Sequence, residues 1–279
     1  MSKVYFTKEI TANGLQKAYN ALSINLQDKI GVQISVGDRN STTYLKADLV
    51  GPLVKTLGGT FIASGTAHDG DCASPKSHRR VAREHGFTKY ADIDIMDAHS
   101  EFSIPIDGVK HLEQTIVGDT FNNYSSIINI ACAKRHSIAG FGASIKNQAI
   151  DLASRHGKAY IYTAGKTSDP DHILADIPEQ SDFIESIAEG ALGISNYLKT
   201  NHRQIIHITV VEVIARLGIL ASLDPVASDQ ALIDLIWTSK IPNLAKIQKH
   251  INLCSGLDLL PYAESIGLGS REYELVEIK

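Results

Sequence analysis

Thr60-Phe61-Ile62-Ala63 leads through a polar loop, Ser64 to Cys72, into Pro75-Lys76-Ser77-His78-Arg79-Arg80-Val81-Ala82-Arg83-Glu84-His85-Gly86, and from there to Ile93-Asp94-Ile95-Met96. The first and last runs are short, apolar and β-branched, as strands are. Between them, Pro near the start and Gly after the end bracket a helix, the usual asymmetry of helix termini. A strand, a helix and a second strand of this length make a βαβ unit, which requires parallel strands. The same rhythm extends upstream. Gly31 to Val36 alternates apolar and polar residues as a strand does, Gly37 to Ser41 is a loop by composition, and Lys46 to Leu57 reads as a helix closed by Gly58-Gly59. Val4-Tyr5-Phe6 reads as a further strand, and Thr11 to Leu22 as a helix with Leu15, Ala18, Tyr19 and Leu22 on one face.

Downstream, Ser103 to Ile106 and Thr115 to Val117 form a small antiparallel excursion near residues 98–120. The alternation then resumes. Strands are expected at Ser126–Ala131, Ile205–Val213, Leu217–Ser222 and Glu272–Ile278. Helices are expected within Phe141–Arg155, at Phe183–Leu198, from Asp224-Pro225 to about Trp237, and at Asn243–Leu253. With no repeat, low-complexity tract or linker, residues 1–279 read as a single α/β domain, a mainly parallel or mixed sheet flanked by helices.

Composition narrows the function classes. The chain has 279 residues, a net charge of −4, 43% hydrophobic and 6% aromatic residues. The acidic balance and sparse aromatics argue against nucleic acid as a partner. No window approaches the roughly 18 apolar residues of a membrane span. The N-terminus lacks the apolar core of a secretory signal. Cys72, Cys132 and Cys254 are odd in number and far apart, which fits a reducing compartment. The expectation is a cytoplasmic protein with no membrane partner, compatible with a homo-oligomer.

Ligands in open α/β sheets sit beyond the carboxyl ends of strands, and three such loops are dense in polar groups. The first runs Ser64 to Cys72 and continues to His78, offering His68, Asp69, Asp71 and Cys72. The second is Cys132-Ala133-Lys134-Arg135-His136-Ser137-Ile138-Ala139-Gly140-Phe141-Gly142-Ala143-Ser144-Ile145-Lys146-Asn147. There a strand gives way to a basic, glycine-containing turn at a helix start, an arrangement that favours an anion. Lys134, Gly140, Gly142, Lys146 and Asn147 are the candidate anion or cofactor holders. His136 and His78 are the candidate acid–base groups. Cys132 and His136 are candidate metal ligands. The third loop is Leu223 to Gln230. Asp224 reads as an N-cap and Pro225 as the first helical residue, while Asp229 is a weaker pocket candidate. His207 in an apolar strand and Trp237 read as core.

The second loop also carries a likeness. Gly140-Phe141-Gly142-Ala143-Ser144-Ile145-Lys146-Asn147 and Ile150 to Gly157 resemble the family called domain of unknown function 362. So do Ser77-His78 with His85-Gly86-Phe87, Gly218 to Ala227, and Ile266 to Arg271. The resemblance runs in order along almost the whole chain. It implies an iron–sulfur centre, which family members are described as containing, usually within a cysteine-rich insertion between the strands matching Ile205–Val210 and Gly218–Ser222. Here Val211 to Leu217 joins those strands without a cysteine. A cluster needs four ligands, mostly thiolates, so the expected iron–sulfur group is not carried over and the cofactor is left unknown. The family pattern His-x-Lys-Gly-His is matched by Lys134 and His136, with Cys132 and Arg135 as departures. The same segment resembles the His…Gly…Gly…Lys segment of the lactate racemase family, which uses a nickel-containing cofactor. Two readings result: a metal- or redox-linked enzyme acting on a small anionic metabolite, or a non-catalytic binding or scaffold protein that has lost the family's centre.

Overall fold

The computed structural model describes every residue except Asn243 and Lys279. The elements in chain order are β1 (Ser2–Thr7), α1 (Ala12–Ala21), β2 (Ile30–Gln33), α2 (Ala47–Thr56), β3 (Thr60–Ala63), α3 (Pro75–Glu84) and β4 (Ile93–Ile95). Then come β5 (Glu101–Pro105), β6 (Gln114–Gly118), β7 (Ser126–Cys132), β8 (Lys134–His136), β9 (Gly140–Gly142), α4 (Ser144–Lys146), α5 (Arg155–Tyr162) and α6 (Gln180–Thr200). The chain finishes with β10 (Gln204–Val211), β11 (Gly218–Ser222), α7 (Pro225–Thr238), α8 (Leu244–Leu253), α9 (Leu259–Ser265) and β12 (Tyr273–Glu277).

Eight strands form one mixed, mostly parallel sheet in the order β12-β1-β11-β10-β7-β2-β3-β4. β10, β7, β2, β3 and β4 run parallel, and β11 is antiparallel to both β10 and β1. β5 and β6 make the separate antiparallel excursion. The connections from β2 advance to β3 and β4 on one side, whereas β7 leads to β10 on the other. The crevice between β2 and β7 is therefore a switch point of the topology, where open α/β sheets take ligands.

The two faces of the sheet differ in chemistry. On one, Val32, Phe61, Ile128, Ile206 and Ile208 pack with Leu15, Val50, Leu53 and Val81 from α1, α2 and α3. On the other, a polar row crosses the sheet in register: Gln33 on β2 pairs with Asn129 on β7, Asn129 with His207 on β10, and His207 with Ser222 on β11. All four are fully buried, so each needs a partner. The segment after β9 supplies most of them. The Asn129 amide donates to Ser144 O at 2.9 Å and contacts His207 Nδ1 at 3.0 Å. Asn147 Nδ2 donates to Gln33 Oε1, to Asn129 Oδ1 and to Ile130 O.

Helix starts follow local chemistry. Thr11, Ser74, Ser154 and Asp224 each cap the helix that follows, accepting from backbone N–H groups one turn on. The stretch expected to hold one helix, Phe141–Arg155, is divided. Phe141 and Gly142 belong to β9, α4 is a single turn, Asn147–Asp151 is a π-turn, and α5 begins afresh at Arg155. A π-turn inserts an extra residue into the helical ladder, and here it lets Asn147 reach the polar row. Trp237 also differs from expectation. It is 38% exposed at the end of α7 rather than in the core. The expected helix from Asn243 begins at Leu244, with Asn243 outside the described residues.

Candidate functional site

The first two polar loops meet at the β2–β7 crevice. A cavity of about 190 Å³ is lined by the segment after β2 (Ser35, Thr43), the loop after β3 (Ser64, Thr66), His78 on α3 and Lys134 on β8. Asp38, Cys72, Asp151 from the π-turn and Lys158 on α5 also line it, so two lysines face two carboxylates across the space. A constriction of about 10 Å³ adjoins it, sharing Lys134 and Asp151 and adding Cys132, His136, Lys146 and Asn147. That is room for about one water.

Several of these groups are buried without partners. His78 Nδ1 and Ser64 Oγ are inaccessible and have no hydrogen-bond partner, although such atoms in native interiors are usually satisfied. Among the described residues, no side-chain hydrogen bond or ion pair engages Lys134, Lys146 or Asp151. Lys158 is fully buried, with its Nζ donating to Ala153 O at 2.7 Å. Burial lowers its pKa, opposed by the charges of Asp97 and Asp151.

Both candidate acid–base histidines are neutral at pH 7. Burial, with Lys158 second, brings His78 down to about 4. Burial, then Lys146 and Lys134, bring His136 down to about 3. His136 Nδ1 accepts from Ile138 N at 3.3 Å and Ala139 N at 3.0 Å. The turn thereby fixes the tautomer with the proton on Nε2, the atom left for chemistry. The thiols are not activated. Burial pushes Cys132 up to about 11 against the pull of Lys134. Burial and the nearby Asp38 push Cys72 up to about 12.

The glycine turn is arranged differently from the sequence expectation. Lys134–His136 and Gly140–Gly142 pair as an antiparallel hairpin. Gly140 has φ +75°, and a Cβ there would lie 3.1 Å from backbone atoms of Ile251 and Gly256. Gly142 leaves room for the Lys146 stem, which would sit 2.8 Å from an added Cβ. Close backbone approach is thus used for the protein's own packing. The N-terminus of α4, expected to attract an anion, already has one: Asp229 Oδ1 accepts from Ser144 N at 2.8 Å and Oδ2 from Ile145 N at 3.0 Å. Asp229 is fully buried and lines neither of these spaces, so the third loop serves structure. Asp224 is an N-cap, as expected. The nitrogen of Asn147 is committed to the polar row. His68 and Asp69 face away from the 190 Å³ cavity, and Asp71 accepts from Arg39 N at 3.2 Å.

Among the described residues, no three His, Cys, Asp or Glu side chains converge as a metal-ligand set. Cys132 and His136 share the constriction but recruit no third ligand. Cys72 and Cys254 lie against Gly37 O and Ser137 O respectively. This donor set does not fit a cluster held by cysteines of one chain, and no chemistry is assigned through one.

Lys158 and Asp151 are the site residues that sequence reasoning missed. Lys158 lies on the buried face of α5, which begins at Arg155, where the helix expected from the sequence ends.

The family description Domain of unknown function (DUF362) matches residues 30–234, well over half the chain. The chain belongs to the DUF362 family. No curated protein matches its sequence significantly. Among solved structures it is similar to the lactate racemase apoprotein from Thermoanaerobacterium thermosaccharolyticum, with 10% identity and a TM-score of 0.49, covering 85% of this chain and 57% of that one. It is also similar to a Thermotoga maritima protein solved as a structural genomics target, with 12% identity and a TM-score of 0.43, covering 89% and 59%. The DUF362 chain thus spans less than two thirds of either. Among its described residues no helix is long and apolar enough to cross a membrane.

Proposed function

We propose that this DUF362 protein is an enzyme that binds a small anionic metabolite, a carboxylate or phosphate, at the β2–β7 crevice and moves a proton on it. The observation that carries this reading is the pair of orphaned atoms, His78 Nδ1 and Ser64 Oγ, in the wall of a cavity that also holds Lys134 and Lys158. An unpartnered buried polar atom costs about 1–3 kcal/mol. An anion bound to the lysines and accepting from the hydroxyl would remove that cost. Lys134 and Lys158 supply charge, while the hydroxyls of Ser35, Thr43 and Ser64 orient. Neutral His78 is the group that takes up a proton and returns it, and neutral His136 offers its Nε2–H as a hydrogen-bond donor to the ligand.

The test is calorimetric titration with phosphate and short carboxylates. Lys134→Ala is expected to weaken binding about tenfold or more, the scale of a charge-assisted contact, with an unchanged melting temperature. Unchanged affinity in that variant would overturn the assignment. For a bound anion, His78→Asn separates catalysis from mere binding. Turnover lost with affinity kept supports the enzyme, whereas saturable binding with no turnover of any bound anion favours the non-catalytic binding protein.

A further inference from the structure

Lys158 differs from the other groups that line the 190 Å³ cavity. It is buried, with 4% of its surface exposed, and buried lysines are almost always paired with a carboxylate. Here, among the described residues, no carboxylate lies within ion-pair distance of it. An ammonium can donate three hydrogen bonds, and this one donates a single bond, from Nζ to Ala153 O at 2.7 Å. The charge of Asp97 reaches Lys158, but its oxygens accept from Gly65 N at 3.0 Å and Arg155 N at 2.8 Å. The placement is local in origin. Ser154 caps α5, Lys158 closes its first turn, and helical side chains lean back toward the N-terminus. Nζ therefore arrives ahead of the helix, at the positive end of its dipole, where a cation is disfavoured. Burial lowers the Lys158 pKa against the pull of Asp97 and Asp151, and Lys146 adds to the lowering. A lysine so held serves as a nucleophile, whereas an exposed one serves as a point charge.

The charges of the cavity point the same way. Asp38 and Asp151 offset Lys134 and Lys158, so charge alone gives a weak hold on an anion, and a covalent bond supplies what charge does not. Lys134 is half-exposed, and Lys146 lines the constriction, which has no room for a carbonyl compound. Lys158 is the amine that has both burial and space. From this placement we infer that Lys158 forms a Schiff base with the carbonyl of a small oxo acid bound in the cavity. The inference rests on the anion-binding reading for the carboxylate, which Lys134 and the hydroxyls hold, and adds the functional group beside it. One ammonium proton passes to neutral His78, and the freed amine attacks the carbonyl carbon. The C=O π pair goes to oxygen, which takes a second proton from the nitrogen. His78 returns the first proton as the hydroxyl leaves as water, and the C=N bond forms with one proton left on nitrogen. The iminium keeps the positive charge of the lysine and loosens the adjacent C–H, whose proton His78 then moves.

The experiment incubates the full chain with pyruvate, the smallest oxo acid with a ketone, or with acetone, its counterpart without the carboxylate. Sodium borohydride then reduces any imine to a stable secondary amine, and peptide mass mapping locates it. The label is expected at Lys158, requires borohydride, reaches higher occupancy with pyruvate than with acetone, and falls in Lys134→Ala. Lys158→Met keeps the stem, removes the amine and should lose the label. Mapping on the unaltered chain places the label even if that variant does not fold. No label at Lys158, or no more there than at exposed Lys76 and Lys199, overturns the inference. The anion site then stands or falls on its own calorimetric test with phosphate. Equal labelling of Lys158 by both ketones, unchanged in Lys134→Ala, overturns the oxo acid and the anion site together and leaves only the nucleophilic amine.

Discussion

Two buried polar regions lie within a few residues of each other and have opposite character. Around α4, Asp229, Ser144, Asn129 and Asn147 bond to one another and to the backbone, while Gln33 Nε2 and His207 Nε2 in the same polar row stay unpartnered in a packed interior, lining neither the cavity nor its constriction. Beside it, His78, Ser64, Lys134, Lys146 and Asp151 surround a space and leave their groups open. The first region meets the start of α4 with its own carboxylate, Asp229, and the second surrounds an open space. The contrast teaches that basic and glycine-rich sequence does not mark a ligand site by itself. What marks it is unpartnered polar groups that also line an open space, as His78 and Ser64 do and Gln33 and His207 do not.

The largest effect should come from the closed region. Asp229→Ala orphans two buried N–H groups at the start of α4, each costing about 1–3 kcal/mol. Urea unfolding is expected to show a loss of about 3 kcal/mol, and a variant as stable as the wild type would break the comparison. In the open region the sign should reverse. His78→Leu removes a buried imidazole with an unpartnered Nδ1, so stability should hold or rise by about 1 kcal/mol while turnover is lost and anion affinity is kept. A stability loss like that of Asp229→Ala would show that the two regions are alike.

The response to pH sharpens the same distinction. His78, His136 and His207 are held by burial at about 4, 3 and 3, below their ordinary 6.5. Below pH 6.5 the unfolded chain binds protons that the folded chain refuses, so stability should fall as pH drops from 6.5 towards 4. Asp229 works the other way. Burial raises its carboxyl to about 7 from 3.8 against its two backbone hydrogen bonds, which erodes stability as pH rises between those values. Three histidines outweigh one carboxyl, so urea midpoints should climb as pH rises from about 4 and level off around pH 7–8. In the Asp229→Asn variant that climb should steepen, and an unaltered profile would remove Asp229 from the account. The smallest effect is at the surface. Trp237→Ser, at a half-exposed position, should change stability by no more than about 0.5 kcal/mol.

The sequence was most informative where structure is local. The parallel βαβ rhythm, the antiparallel excursion and the caps at Thr11 and Asp224 depend on spacing and on residues next to one another. It was least informative around α4, because Ala143 there makes no side-chain cap and the cap arrives from Asp229, 85 residues away. The polar row escaped notice for a related reason. Gln33, Asn129 and His207 each look like one polar residue in an apolar strand, and only strand register brings them together. The site was half legible. His78 and Lys134 line the cavity and His136 its constriction, but Gly140 and Asn147 serve packing, and Lys158 lies on a helix that the sequence reading did not place.

The sheet's far edge bears on how the chain reaches its fold. β1 has β11 on one side and β12 on the other, and the Ser2–Asp224 hydrogen bond spans 222 residues. Pairings this distant in sequence close last and slow folding. During synthesis, β2, β3 and β4 can assemble early while β1 waits for the strands on either side of it. A strand made before both of its partners is thus among the last to be placed, and until then it is an unpaired edge in need of protection from other chains.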